Sequence, residues 1–185
     1  MTISYTPPAF DLPAALLSQG YTLRPETDDD IPFLTYLYGT TREEELTRVD
    51  WPPEQKIAFI KQQSDAQRFH YRTQISGCAF DVIEMAGIPI GRLYLQERET
   101  RLHIVDIALM PTHCGKGVGS AILKAMVKTA GSRGKGVGIF VEKYNPALRL
   151  YRRLGFTDIQ ETDIYYEMEW VPEGYTAPLA KTQIS

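Results

Sequence analysis

Apolar positions recur along the chain with two periods. Between residues 76 and 110 the period is that of β-strands. One run covers 78–85, a second covers 88–95 with Gly87 at the turn between them, and a third covers 102–110. The third is nearly all apolar, as a strand buried on both faces requires. The helical period follows, with Val118, Ile122, Leu123, Met126, Val127 and Ala130 on one stripe. A strand over 137–141, a helix over 147–154 closed by Gly155, and β material over 156–170 complete the run. Upstream, residues 21–24 read as a short strand stopped by Pro25. Thr27 and Asp30 then form a capping-box pattern before a helix with Phe33, Leu34, Leu37 and Tyr38 on its apolar face and Gly39 at its end. A second helix begins near Pro53 and carries Ile57, Phe59, Ile60, Phe69 and Tyr71. The predicted order is β-α-α-β-β-β-α-β-α-β. This is a mixed α/β fold with a central mixed β-sheet flanked by helices, forming one domain over 21–170. Residues 1–20, with Pro7, Pro8, Pro13 and a short helix over 14–18, read as an N-terminal arm. Residues 171–185, with Gly174 and Pro178, read as a C-terminal tail, and both are expected to be loosely held.

Length and composition narrow the function. A chain of 185 residues with 43% hydrophobic and 23% charged residues suits one globular domain and excludes wholesale disorder. A net charge of −3 argues against nucleic acid as a partner. Two cysteines, Cys78 and Cys114, are too few for a disulfide framework or a cysteine-rich zinc site, and they fit a reducing compartment. No run of about 18 apolar residues is present, so no membrane partner is expected. The N-terminus lacks the pattern of a signal peptide, which leaves a cytoplasmic location as the expectation. No carboxylate pair is placed for Mg²⁺, and no metal is expected.

Glycine is distributed unevenly: seven of fourteen fall between Gly115 and Gly138, and Gly-Lys-Gly-Val-Gly occurs twice, at 115–119 and 134–138. The first copy follows the apolar strand and opens a helix. Its amides lie at a helix N-terminus, an anion site that glycine lets a phosphate approach closely. The second copy follows a helix and opens a strand, so it reads as a cap and turn with Gly131 or Gly134 in the left-handed region. The first copy is not a P-loop, which needs Gly-x-x-x-x-Gly-Lys-Ser/Thr. It also fails the dinucleotide fingerprint, because Gly119 comes one place early. Nucleotide hydrolysis and nicotinamide chemistry recede accordingly.

Two segments carry a family resemblance. Ile107-Ala108-Leu109-Met110-Pro111-Thr112-His113-Cys114-Gly115-Lys116-Gly117-Val118-Gly119-Ser120 resembles motif A of the GNAT acetyltransferases: a buried strand, a turn of form Gln/Arg-x-x-Gly-x-Gly/Ala, then a helix. Asn145-Pro146-Ala147-Leu148-Arg149-Leu150-Tyr151-Arg152-Arg153-Leu154-Gly155-Phe156 resembles motif B. The order and spacing of the two match the family, as does the element order over 21–170. Cys114 departs from the pattern, standing where Gln or Arg is usual. That side chain commonly helps to hold a pyrophosphate, and His113 or Lys116 is placed to compensate.

The resemblance implies acetyl transfer from acetyl-CoA to an amine. The pyrophosphate would sit at His113, Cys114, Gly115, Lys116, Gly117, Val118, Gly119 and Ser120, chiefly on the backbone amides of 115–120. The pantetheine arm would pair with Ile107, Ala108 and Leu109, the Leu109 amide polarising the thioester carbonyl. Asn145, Leu148 and Tyr151 complete the cofactor-binding set. Tyr151 is the expected general acid, protonating the leaving thiolate. Strict alternation puts His103, Val105, Ile107 and Leu109 on one face of the strand, with Ile104, Asp106 and Ala108 on the other. His103 falls where some members of the family carry a catalytic carboxylate, and its ordinary pKa suits a base. Asp106, expected to be structural, Glu142 and a water chain are the other options for that role. The acceptor, a small-molecule or peptide amine, is not identified by the sequence. Glu43, Glu44 and Glu45 would attract a cation but read more simply as a helix start, and Tyr36, Tyr38, Tyr71, Tyr165 and Tyr166 are candidate pocket aromatics. A homodimer is common in the family. A non-catalytic acyl-CoA-binding or sensing module on the same fold is the alternative.

Overall fold

A computed structural model describes residues 10–176. One seven-stranded sheet runs through the molecule. Its strands are β1 (Tyr21–Pro25), β2 (Cys78–Met85), β3 (Ile88–Glu97), β4 (Arg101–Leu109), β5 (Gly136–Glu142), β6 (Thr157–Glu161) and β7 (Tyr165–Trp170), in the order β1-β2-β3-β4-β5-β7-β6. Every neighbouring pair is antiparallel except β4 and β5, which are parallel. A parallel pair needs a long crossover, and α5 (Val118–Ser132) supplies it. The expected mixed α/β architecture is the observed one.

The main core lies on the α5 face. Val118, Ile122, Leu123, Met126 and Ala130 of α5 pack on Leu93, Leu95, Leu102, Ile104, Val137 and Ile139 of the sheet. Leu148 and Tyr151 of α6 (Leu148–Arg153) extend this layer. Phe10, Leu12 and Leu16, the last on α1 (Ala14–Leu17), also belong to the core. Residues 10–20, expected to be part of a loose arm, are therefore packed. Residues 1–9, with Pro7 and Pro8, and 177–185, with Pro178, lie outside the described residues.

The other face carries α2 (Ile31–Thr41), α3 (Glu43–Thr47) and α4 (Pro53–Gln74). The Thr27–Asp30 capping box is present. The Thr27 amide donates to Asp30 Oδ2 at 2.8 Å, and Arg24 clamps the same carboxylate through two bonds of 2.7 Å. Gly39 does not end α2. A Cβ there would stand 3.3 Å from the Ile60 side chain, so glycine's part is to let α2 and α4 approach closely, and the helix runs on to Thr41. Glu43, Glu44 and Glu45 occupy the first turn of α3, a helix the periodicity did not separate from the loop.

Helix α4 buries little apolar surface. Ser64 is its one fully buried residue, and Ile57 and Phe69 are exposed. Polar contacts dock it instead. Glu26, whose side chain is 0% exposed, accepts from Arg72 at 2.6 Å, pairs with Arg68 at 3.1 Å and accepts the Tyr94 hydroxyl. Arg72 also stacks 4.2 Å from the centre of the Phe80 ring. A buried carboxylate is tolerable only with partners of this kind. No helix is long and apolar enough to cross a membrane among the described residues.

Gly91 brings β3 unusually close to β4: a Cβ there would lie 2.5 Å from the Ala108 carbonyl oxygen and 2.8 Å from Leu109 Cδ2. Gly91→Ala forces the two strands apart and is expected to lower stability by about 2 kcal/mol. Urea unfolding checks this; an unchanged midpoint contradicts it.

Candidate active site

The turn between β4 and α5 gathers backbone amides without partners. Gly115 and Gly117 adopt φ of +72° and +85°, in the left-handed region that favours glycine. Gly117 caps α5 without any side-chain bond, and its carbonyl accepts from the Ala121 amide at 2.9 Å. The six amides of 115–120 donate to no described residue. They are the orphan donors that every helix start leaves, here collected on a glycine turn and reinforced by the helix dipole. The second copy of the pentapeptide differs as expected: Gly134 takes φ +66° in the link from α5 to β5, while Gly131 stays helical.

Beside this turn the sheet opens. β4 and β5 pair only over residues 101–104 and 136–139, and beyond Ile104 and Ile139 they diverge. On the other side of β4, the Met110 amide donates to the Ile90 carbonyl at 2.7 Å. Bonding alternates along an antiparallel ladder, so Leu109 and Ile107 turn their amides and carbonyls toward the gap. A polar strand edge therefore lines the opening.

A β-bulge sets what projects from that edge. Tyr94 pairs with Asp106 and Leu95 with Ile104, so Val105 is the extra residue. The bulge inverts the side-chain alternation. Leu102, Ile104, Ile107 and Leu109 face the α5 core, whereas His103, Asp106 and Ala108 face the other layer. The alternation expected from sequence holds on neither side of Val105 together, because one inserted residue shifts a period of two by half.

A cavity of about 180 Å³ occupies the gap. Val105, Asp106, Ile107 and Ala108 of β4 form one wall, and Ile139, Phe140, Val141 and Glu142 of β5 face them. Asn145, Tyr151, Tyr165, Tyr38, Thr41, Arg42, Gln67, Tyr71 and Arg92 complete the lining. Two ion pairs lie in the wall. Arg92 Nη2 donates to Asp106 Oδ2 at 2.7 Å and to Gln67 Oε1 at 2.9 Å, and the Tyr71 hydroxyl donates to the same Asp106 oxygen at 3.2 Å. Arg42 bonds Glu142 twice, at 2.8 and 3.2 Å, and Glu45 once, at 3.0 Å. Tyr151 is 3% exposed, its ring edge-on to Phe156 at 5.5 Å. Burial, and then the charge of Asp106, push its hydroxyl above the ordinary tyrosine value, so it stays protonated.

Residues 37–156 match the family model described as Acetyltransferase (GNAT) family. The chain belongs to the GNAT acetyltransferase family. Solved GNAT structures share the fold. The PaiA N-acetyltransferase from Thermoplasma acidophilum, solved in complex with coenzyme A, superposes with a TM-score of 0.60 at 14% identity, over 82% of this chain and 98% of that one. A GCN5-related N-acetyltransferase from Rhodopseudomonas palustris gives 0.56 at 23% identity, over 88% and 97%. The ribosomal-protein-S18-alanine N-acetyltransferase from Escherichia coli gives 0.53 at 16%, over 86% and 97%. No curated protein matches the chain.

Of the GNAT site residues anticipated from sequence, Ile107, Ala108, Asn145 and Tyr151 line the cavity. Asn145 spends its Oδ1 on the Ala147 amide at 2.9 Å, capping the turn into α6. Leu148 does not reach the cavity; it packs in the core. Val118 is buried beneath the turn, while Lys116 is exposed on it. His113 lies edge-on to Tyr21 at 6.4 Å, and its Nδ1 is buried without a partner. The Cys114 thiol sits 3.6 Å from the Leu109 carbonyl, and burial raises its pKa. Tyr38, Tyr71 and Tyr165 line the cavity; Tyr36 and Tyr166 do not.

His103 is the main correction. It is 5% exposed, lies edge-on to Phe140 at 5.5 Å, and is not part of the cavity wall. Burial first, then the charges of Arg98 and Arg101, push its pKa down to about 3, and its Nδ1 has no partner. The carboxylates in the wall are Asp106 and Glu142. Sequence reasoning missed Arg92 and Gln67. The available signal was a lone arginine inside the apolar run 88–95, beside a lone aspartate in the next run; two buried charges on adjacent strands need each other.

The depressed His103 pKa has a defined sign. Between pH 6.5 and about 3 the unfolded chain binds a proton that the folded chain refuses, so stability falls as pH falls through that window. Replacing His103 with Phe removes this linkage. Wild type should lose up to about 1.4 kcal/mol per pH unit more than the variant across the window. Parallel denaturant-derived slopes for the two proteins contradict the assignment.

Proposed function

We propose that this chain transfers an acetyl group from acetyl-CoA to an amine, with Tyr151 as general acid. The observation that carries the reading is a single continuous surface. Six free amides at 115–120 adjoin the edge of β4, where the Leu109 carbonyl meets only the Cys114 thiol, and Ile107 of that edge lines the same cavity as the protonated, buried Tyr151. Each part suits one portion of the cosubstrate. The amides and helix dipole take the diphosphate, needing no net positive charge from a chain whose net charge is −3. The edge at Ile107 and Leu109 pairs with the pantetheine amides as an added strand would.

Acetyl-CoA supplies the activated acetyl group as a thioester. The Leu109 amide donates to the thioester carbonyl oxygen and stabilises the negative charge that grows there. The amine nitrogen bonds to the carbonyl carbon, and the carbon–sulfur bond breaks. The sulfur leaves with the proton of the Tyr151 hydroxyl, and the proton released by the amine restores that hydroxyl. Burial keeps the Tyr151 hydroxyl protonated, so it enters the reaction with a proton to give.

Tyr151→Phe should reduce turnover roughly a hundredfold, the usual scale for a positioned acid, with acetyl-CoA affinity little changed. Thiol release with an amine panel measures the first, and calorimetric titration of acetyl-CoA measures the second. Wild-type turnover in the variant excludes Tyr151 from the role.

A further inference from the structure

The acceptor end of the cavity is selective in charge. Both guanidinium groups are paired with carboxylates: Arg42 holds Glu142 and Glu45 through both terminal nitrogens, and Arg92 holds Asp106 through Nη2 alone. Arg42 Nε and Arg92 Nε are sealed from solvent and thus from any ligand. In each pair the carboxylate is the more accessible partner. The Asp106 side chain is 15% exposed against 6% for Arg92, and Glu142 is 32% exposed against 22% for Arg42. Asp106 receives both of its hydrogen bonds on Oδ2, which leaves Oδ1 without a described partner. The carboxylate oxygens are therefore open to an entering cation. At the rim, Phe140 is 51% exposed and Tyr165 is 39% exposed, and both line the cavity. They offer apolar surface that the described residues leave open.

From these observations, and resting on the acetyltransferase reading above, we propose that the acceptor is a primary amine with an apolar body and no carboxylate beside its nitrogen, its ammonium received at Asp106. An α-amino acid would bring its carboxylate against Asp106 or Glu142, or would have to displace Glu142 from a two-bond clamp. Like-charge juxtaposition of that kind is a strong ground for rejection. An apolar body covers Phe140 and the ring of Tyr165, which a short alkylamine leaves wet.

The test uses the full chain, acetyl-CoA and three amines: 2-phenylethylamine, phenylalanine and ethylamine. Phenylalanine differs from the first by one carboxylate, and ethylamine by the loss of the ring. Thiol release should show kcat/KM for 2-phenylethylamine at least about tenfold above each of the others. Asp106→Asn, checked for an unchanged circular dichroism spectrum and for retained thermal protection by acetyl-CoA, should raise KM for 2-phenylethylamine and shrink its advantage over phenylalanine. Phenylalanine turned over as well as 2-phenylethylamine overturns the proposal, as does ethylamine at equal efficiency. Protection by acetyl-CoA with release to none of the three also overturns it, while leaving cosubstrate binding intact. An absence of protection by acetyl-CoA brings down the underlying reading instead, so the two failures are distinct.

Discussion

Strands β4 and β5 share four paired residues and then part. That divergence is the constraint on which the rest of the site depends. A sheet interior normally pairs every backbone group, and a buried amide or carbonyl left without a partner costs as much as a lost hydrogen bond. Here the edge of β4 at Ile107 and Leu109 faces open space across from Val141 and Glu142. The gap persists because its surroundings are fixed independently. β4 is held on its other side by seven antiparallel pairs with β3, interrupted only at Val105, and β5 by six pairs with β7. Helix α5 packs across both strands on the core face. An unpaired edge in such a frame is a binding surface already in place, so a ligand that pairs with it need not order it first.

The same strand carries the chemistry because of one residue. Val105 is the bulge, and it turns Asp106 away from the α5 core into the cavity while leaving His103 in a buried position beside Phe140. The layer facing Asp106 is held by charge more than by apolar contact. Glu26 gathers Arg68, Arg72 and Tyr94, and Asp106 gathers Arg92 and Tyr71. Networks of this kind contribute little net stability but specify geometry, since a half-satisfied arrangement is penalised. This wall of the cavity is accordingly defined in position without being deeply packed.

Much of this was legible in the chain. The period of two over 78–110, the helical stripe from Val118 and the glycine turn at 115–119 lead to the sheet, to α5 and to the turn of unpartnered amides, because each depends on local pattern. The separate roles of the two identical pentapeptides followed from what stands before and after each. The bulge was not legible. Nothing in Ile104-Val105-Asp106 marks an inserted residue, since the insertion is set by pairing with Tyr94 and Leu95, ten residues away in the chain. The place of His103 was lost with it. Gly39 misled for a similar reason: its role is close approach to Ile60, a contact between two helices. The packing of 10–20 depends on Phe10, Leu12 and Leu16 finding the core, which their spacing alone does not announce.

The central claim is that the orphan amides of the turn and the edge of β4 together form one acetyl-CoA site. Residue-resolved amide hydrogen exchange, with and without acetyl-CoA, reads those groups directly. Slowed exchange at 115–120 and at Leu109 together is the expected result. Slowing confined to other regions, or none at these amides while acetyl-CoA is bound, contradicts the account.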